Sequence, residues 1–493
     1  VRSASTSAVV SDTVATLLAA RAHRGGHPLL ICDDRTLSYA EADRRSAELA
    51  AGLLTLGAGK GTHVGVLYPN GPEFVVAMLA AARIGAVVVP FSTFATAAEL
   101  RTQLLDSDVS ILLSAGSYRS HDYRARLADT AGLPCLRHVF FEPPTARVTD
   151  ALPAMEADVD GCDVLAIIYT SGSTGAPKGA VHTHAGLLGH QRNLNQIRGL
   201  GPSDVLFCNS PFFWIGGFAF GLLATLTAGS TLVCSNATDA GATLDLLEAV
   251  RPNVTNGFTA GIAHLPRHPG FADRDLSSLR RGNLYPVMAP DARPADPELR
   301  HNMLGMTEAG GVLLIDGDES DQPEHRRGSF GRPAPGFETK VLDTGELCIR
   351  GPYVMQGYYG RAWEDCFDAD GWFHTGDLVR VDADGYFYYL ARAGSMIKTA
   401  GANVTPAEVV RAIAAQGFTA HVVGLPDTER GQIVAAVIVS DEPVDTDALW
   451  RALRSELSAY KVPRRFAVCR PDEVPLLSSG KIDMPALRGL FDD

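Results

Sequence analysis

The chain has 493 residues, with 43 basic and 56 acidic side chains, for a formal charge of −13. At roughly 150 residues per domain this length suits about three domain-sized units, and a 46% hydrophobic content supplies a large core, which excludes a disordered or fibrous chain. No basic run exceeds Arg280-Arg281 or Arg464-Arg465, which argues against nucleic-acid binding, because phosphate neutralisation needs clustered Lys and Arg.

The eight cysteines are scattered without a CxxC pair. Metal sites and disulfide scaffolds use closer, patterned spacing, so free thiols in a reducing, cytoplasmic compartment are expected. Val1 to Val10 is Ser-rich and lacks a basic segment followed by an apolar one, unlike a secretory signal.

Along the chain, Ser38 and Glu41 have capping-box spacing, and a helical apolar period follows over Ala40 to Leu56. Val64 to Leu67 reads as a strand, Glu73 to Ile84 as a helix stopped near Gly85, and Val87 to Val89 as a strand ended by Pro90. Short apolar strands alternating with helices predict an α/β fold with a mostly parallel sheet covered on both faces. Val205 to Thr238 carries no charge, but Pro211, four glycines from Gly216 to Gly229 and several polar residues break any lipid-facing helix. The segment is expected as buried core, not a membrane span.

The pattern changes after about Gly328. Thr339 to Leu342, Glu346 to Arg350 and Tyr386 to Leu390 read as strands between tight turns. Asp368 to Gly371 and Asp382 to Gly385 lack the further ligands of a calcium loop and read as Asp-Gly hairpin turns. A last segment begins near Arg392. Thr405, Pro406 and Glu408 form a capping box with Pro at the first helical position, and Gly417 ends that helix. Strands near His421 and over Gln432 to Val439, then a helix over Thr446 to Leu457, complete an α+β pattern.

The most informative stretch is Val164 to His184. An apolar strand runs into Thr170, Ser171, Gly172, Ser173, Thr174, Gly175 and then Lys178. Hydroxyls, close-approaching backbone N–H groups and one mobile cation suit a nucleotide's phosphates. The order is not that of a Walker A loop, because Lys178 lies between Pro177 and Gly179.

Tyr169 to Gly179 resembles the signature of the adenylate-forming superfamily, which holds acyl-CoA synthetases, peptide-synthetase adenylation domains and luciferases. Further matches follow in the family's order: Gly305 to Glu308, Gly345 to Gly351 with Gly357 to Tyr359, Trp372 to Asp377, and Arg392 with Lys398 and Gly401. Tyr460 to Pro463 and Gly480 to Asp483 complete the series. Each is weak alone; together in this order they are specific. The resemblance implies an α/β fold with a large N-terminal domain, residues 1–391, of layered sheets plus a distorted β-barrel. A small mobile α+β C-terminal domain, residues 392–493, would carry the catalytic lysine.

The resemblance implies that a carboxylate attacks the α-phosphate of ATP to give an acyl-adenylate and pyrophosphate, and that the acyl group then passes to coenzyme A. Anion attacking anion needs charge compensation at phosphorus, and Lys481 is the implied cation, with Lys178 beside the phosphates. Glu308 would hold Mg²⁺, a hard cation suited to carboxylate and phosphate oxygens. Thr307 would hydrogen-bond the α-phosphate, Asp377 would accept from the ribose hydroxyls, and Arg392 would approach the same ribose or phosphate. Glu408 is expected only as the capping-box glutamate.

Acid specificity is expected around Phe212, Phe213, Trp214, Gly216 and Gly217. Amino-acid-activating members carry an Asp here, and many acyl-CoA synthetases have His at the Trp214 position. Beside these aromatic rings an α-ammonium would be unpaired and costly, so a carboxylic acid with a sizeable apolar body is expected; the alternative is that the rings only pack the core. Leu304 stands where the family has an adenine-stacking aromatic, and Gly282-Asn283-Leu284 stands where it has a Gly-Gly-Ala-like loop. Gly394 occupies the hinge position usually held by Asp or Lys. It permits rotation without specifying a pose, so slow or delegated thioester formation is expected.

Two other readings stay open. A loader could pass the acyl group to a carrier protein's phosphopantetheine thiol, and a nucleotide-binding protein could bind without chemistry.

Overall fold

Ser38 opens a long helix as its spacing predicts. Its hydroxyl accepts from the Glu41 amide at 3.2 Å, and the Glu41 carboxylate accepts from the Ser38 amide at 3.0 Å. Both exposed helix-end donors are satisfied reciprocally. The computed structural model describes residues 13–128, 132–170, 177–393, 397–399, 402–404, 406–428, 430–457, 461–477 and 481–491. By contacts the chain divides into two units, Val1–Glu338 with Arg350–Trp372, and Thr339–Ile349 with Phe373–Asp493. The second therefore takes in antiparallel strands that precede Arg392.

In the first unit the elements that place the site are β1 (Pro28–Cys32), β2 (Arg35–Ser38), α1 (Tyr39–Thr55), β3 (His63–Leu67), α2 (Pro72–Arg83), β4 (Val87–Pro90), β5 (Ile111–Ser114) and β6 (His138–Phe140). Then come β7 (Val164–Thr170), β8 (Lys178–Thr183), α3 (His184–Ile197), β9 (Val205–Cys208), β10 (Thr231–Cys234), β11 (Val254–Asn256) and β12 (Arg281–Gly282). They build two six-stranded sheets, ordered β12-β11-β9-β10-β1-β2 and β8-β7-β4-β3-β5-β6. Each is parallel except for one antiparallel partner at its edge, β2 on β1 and β8 on β7. Helix α2 is apolar on nearly every face and packs against β3 and β4 of one sheet and β2 of the other. Burial on all sides is what such a helix requires, and the main core therefore lies between the sheets.

The uncharged stretch after Val205 is core, as expected. Strand β9 is followed by a helical run whose middle, Phe218–Leu223, is a π-helix, and then by β10. Among the described residues no helix is long and apolar enough to cross a membrane.

After this come β13 (Leu304–Met306), β14 (Gly311–Ile315) and β15 (Arg332–Pro333), a small antiparallel sheet. The second unit begins with a four-stranded sheet of β16 (Glu338–Val341), β17 (Glu346–Arg350), β18 (Phe373–Val381) and β19 (Phe387–Arg392). The resemblance implies a distorted β-barrel in this region; the described strands here are ordered as one three-stranded and one four-stranded sheet. Of the two Asp-Gly turns, Asp382 to Gly385 joins β18 to β19, with Asp382 Oδ1 accepting from the amides of Asp384 and Tyr386. Asp368 makes the same bonds to Asp370 and Trp372 but leads the chain into β18 instead of joining two named strands.

The C-terminal segment adds β20 (Ile397–Thr399), β21 (Ala402–Val404), α4 (Pro406–Ala415), β22 (Thr419–Asp427), β23 (Gly431–Val439), α5 (Thr446–Glu456), β24 (Arg465–Cys469) and α6 (Met484–Gly489). Helices α4 and α5 bury Val409, Ile413, Leu449 and Leu453 on one side of the β22–β23 strands, and Leu487 of α6 packs with Val423 and Leu425 on the other. The α+β pattern read from the sequence is thus a sheet covered on both faces.

Candidate active site

Strands β7 and β8 form an antiparallel hairpin in which Lys178 is the register partner of Thr170. Ser171, Gly172, Ser173, Thr174 and Gly175 lie outside the described residues. On its other side β8 takes backbone hydrogen bonds from the segment 356–359, with Val181 bonded to Gly357 and Gln356, and Gly179 to Tyr359. This places the Tyr358 ring 5.2 Å from the Lys178 ammonium. The Tyr358 hydroxyl donates to Glu308 Oε1 at 2.7 Å. The Glu308 backbone carbonyl accepts from Met355 at 2.8 Å. Glu308 and Thr307 sit on the short 3₁₀ turn after β13, half-buried.

His182 completes the group. Lys178, Ala180 and His182 alternate along β8, so their side chains share a face. His182 Nε2 lies 2.7 Å from the Thr307 carbonyl oxygen, and since that oxygen only accepts, Nε2 carries the proton. Burial lowers the His182 pKa to about 4, opposed by the bond to Thr307. The ring is therefore a neutral, fixed donor. His190 on α3 acts likewise on the next strand: its Nε2 bonds the Val312 carbonyl at 2.9 Å, and burial takes its pKa to about 4. Gln191 Nε2 donates to the Gly310 carbonyl at 3.2 Å. Three side chains from β8 and α3 thus hold the backbone that carries Thr307 and Glu308. Neither His182 nor Tyr358 was assigned a role from sequence; the period-2 alternation from Lys178 is the signal that points to His182.

Leu304, on β13, is half-buried and paired with Leu314. The predicted acid-site residues divide. Phe212 is fully buried, edge-to-face with Phe74 at 5.4 Å, and its amide donates to Asn70 Oδ1 at 2.7 Å. It belongs to the core between the sheets. Phe213 and Trp214 turn instead into a second group. Trp214 is half-buried and meets Phe213, Phe258 and Phe94 at 5.4, 5.9 and 6.4 Å, all edge-to-face. Such crossings are the favoured geometry of aromatic quadrupoles. Gly217 makes the turn possible, because a Cβ there would lie 2.1 Å from the Pro211 carbonyl oxygen; Gly216 precedes it in the same helical turn. Phe94 and Phe258 were not singled out from sequence, being remote from Trp214 along the chain and in no motif.

In the second unit, Asp377 and Arg392 are register partners on β18 and β19, and Arg392 Nη1 donates to Asp377 Oδ1 at 2.7 Å. The Asp377 side chain is 7% exposed and that of Arg392 49%. Thr375, also on β18, ties the strand to its neighbour, its hydroxyl accepting from the Asp377 amide at 3.0 Å and donating to the Leu347 carbonyl at 2.7 Å. Lys481 is exposed; its carbonyl accepts from the Leu477 amide at 2.7 Å, and two residues on, Asp483 caps α6. Glu408 pairs with the Lys461 ammonium at 2.5 Å, a use not foreseen from sequence; Thr405, its expected capping partner, lies outside the described residues. So do Gly394, Tyr460 and Gly480. All eight cysteines are free thiols.

Two family models match the chain: AMP-binding enzyme over residues 18–359 and AMP-binding enzyme C-terminal domain over residues 418–481. The chain belongs to the adenylate-forming, AMP-binding enzyme family. This AMP-binding enzyme is 35% identical to a feruloyl-CoA synthase from an Amycolatopsis species, over 92% of this chain and 94% of the relative. It is 34% identical to a Mycobacterium tuberculosis CoA ligase named for a propanoyl group on a methylated dioxo-octahydroindene, over 94% of this chain and 96% of the relative. Its fold is shared with an anthranilate CoA ligase solved with anthranoyl-AMP, at a TM-score of 0.82 and 23% identity, covering 97% of this chain and 96% of that one. In this AMP-binding enzyme, Lys178, Thr307 and Glu308 are brought together by β8 and the segment 356–359.

Proposed function

We propose that this enzyme activates a carboxylic acid with an aromatic or fused-ring body and releases it as the coenzyme A thioester. The carboxylate oxygen attacks the α-phosphorus of ATP, the bond to pyrophosphate breaks, and acyl-AMP forms. The coenzyme A sulfur then attacks the acyl carbon, AMP leaves, and the thiol proton is lost.

Lys178 and the hydroxyl-rich segment Thr170 to Gly175 cradle the phosphates. Lys481 compensates the charge where carboxylate and α-phosphate meet, and Thr307 donates to that phosphate. Asp377 accepts from the ribose hydroxyls, with Arg392 beside it. The residues present suit Mg²⁺, because this cation needs only one or two protein carboxylates with phosphate and water oxygens, and the Glu308 carboxylate is oriented by Tyr358. When bound it would neutralise phosphate charge.

The ring-bearing acid follows from one observation: Trp214 is crossed edge-to-face by three other aromatic rings yet remains half-buried. Flat apolar acids complement such a face. Relatives named for feruloyl and for a fused-ring propanoyl group support the same reading. The test is a pyrophosphate-release assay on aryl, fused-ring, linear alkyl and amino acids, with the thioester identified by mass. Ring acids are expected to lead in kcat/KM by on the order of tenfold or more; a linear alkyl acid in the lead would overturn the assignment.

A further inference from the structure

Strand β11 ends at Asn256 between two parallel neighbours, with Cys208 of β9 opposite Asn256 and Gly282 of β12 opposite Thr255. Beyond these residues backbone pairing gives way to side chains. Asn209 Nδ2 donates to the Phe258 carbonyl at 2.9 Å while its Oδ1 accepts from the Phe258 amide at 3.0 Å. Asn283 does the same to Gly257, donating at 2.9 Å and accepting at 3.1 Å. A carboxamide carries the same donor and acceptor as a peptide group, so each asparagine substitutes for one more residue of strand. Gly257, at φ +150°, is needed for this: a Cβ there would lie 1.7 Å from Asn209 Oδ1.

The clamp satisfies the amide and carbonyl of both Gly257 and Phe258. What it holds is an aromatic ring that is 55% exposed and crosses Trp214 at 5.9 Å and 86°. An exposed Phe gains little from burial, so the core does not require it to be held this tightly. Contact surface fixed before a ligand arrives lowers the ordering cost of binding.

We infer that Phe258 is a specificity-determining residue for the acid, gripping its ring together with Trp214, and that Asn209 and Asn283 are positioning residues acting through Phe258. The inference rests on the ring-acid reading of the Trp214 face. It also gives a use to Asn283, which in the sequence was only a departure from the family's small-residue loop.

The experiment compares full-length wild type with Phe258→Ala, Phe258→Tyr and Asn209→Ala, on one aryl acid and one linear alkyl acid of similar length. Phe258→Ala is expected to lower the aryl-to-alkyl ratio of kcat/KM by on the order of tenfold, mainly through the aryl acid's KM. Phe258→Tyr, which keeps the ring, is expected to restore most of the ratio, and Asn209→Ala to fall between. The KM for ATP serves as the internal control. Should Asn209→Ala fail to fold, the exposed Phe258 pair decides alone. A wild type that favours aryl acids and a Phe258→Ala ratio equal to wild type would overturn this inference only; a wild type that favours the alkyl acid would overturn the ring-acid reading and this inference with it.

Discussion

Tyr358 Oη donates a 2.7 Å hydrogen bond to Glu308 Oε1 while its ring lies 5.2 Å from the Lys178 ammonium. One phenol thus orients the carboxylate proposed for Mg²⁺ and lies beside the cation proposed for phosphate. Tyr358→Phe keeps the ring and deletes only the hydroxyl. Losing such an outer partner typically weakens a metal site about 10–100-fold. The Mg²⁺ concentration giving half-maximal pyrophosphate release should therefore rise by about tenfold, and an unchanged Mg²⁺ dependence would remove Tyr358 from this role. Glu308→Gln should be more severe, and most severe at low Mg²⁺.

Asp377 and Arg392 form an ion pair across β18 and β19 at 2.7 Å, with the carboxylate much the more buried partner. Asp377→Ala should raise the Kd for ATP by on the order of tenfold or more, through loss of charge-assisted bonds to the ribose. Direct binding of a nonhydrolysable ATP analogue checks this. Equal affinity in wild type and variant would leave Asp377 as a structural partner of Arg392 alone.

Lys481→Ala should abolish acid-dependent ATP–pyrophosphate exchange while leaving nucleotide binding largely intact. The side chain is exposed, so folding should be unaffected. Exchange at the wild-type rate would exclude Lys481 as the compensating cation. Comparing the exchange rate with the thioester rate on one acid also tests the Gly394 hinge, for which a slower second step is expected.

His182 and His190 are both buried, with pKa values near 4 against 6.5 unperturbed. Between those values the unfolded chain binds protons that the folded chain does not. Stability from this source is full above pH 6.5 and is lost as pH falls toward about 4. Each ring accounts for about 3 kcal/mol at the limit. His182→Gln keeps a donor for the Thr307 carbonyl but cannot titrate, so its urea midpoint should vary less with pH across this window than that of wild type. Parallel pH profiles for the two proteins would count against His182 as the titrating group.

Some of this was readable from local signals. The Ser38–Glu41 box, the helix stop before Gly85 and the strand ended by Pro90 depend on neighbours within four residues, and the structure reproduces them within a residue or two. The fate of Glu408 was not readable: its partner Lys461 lies on a distant segment, and charge pairing carries no period. Phe212 and Trp214, two positions apart and both aromatic, read alike in sequence, yet one is core and the other half-buried, because the turn around Gly217 sends them to different neighbours.

From sequence alone the order of the motifs established the enzyme family, and hydrophobic periodicity established the alternation of strands and helices, because both are written in short-range patterns. Tertiary structure alone decided that Tyr358 meets Glu308, that His182 holds Thr307, that Asp377 faces Arg392, and that Asn209 and Asn283 close on Gly257 and Phe258. Apart from the hairpin pair Asp377 and Arg392, those meetings join segments far apart in the chain and depend on strand order and register, and a shift of one residue in a strand would turn its side chains to the opposite face.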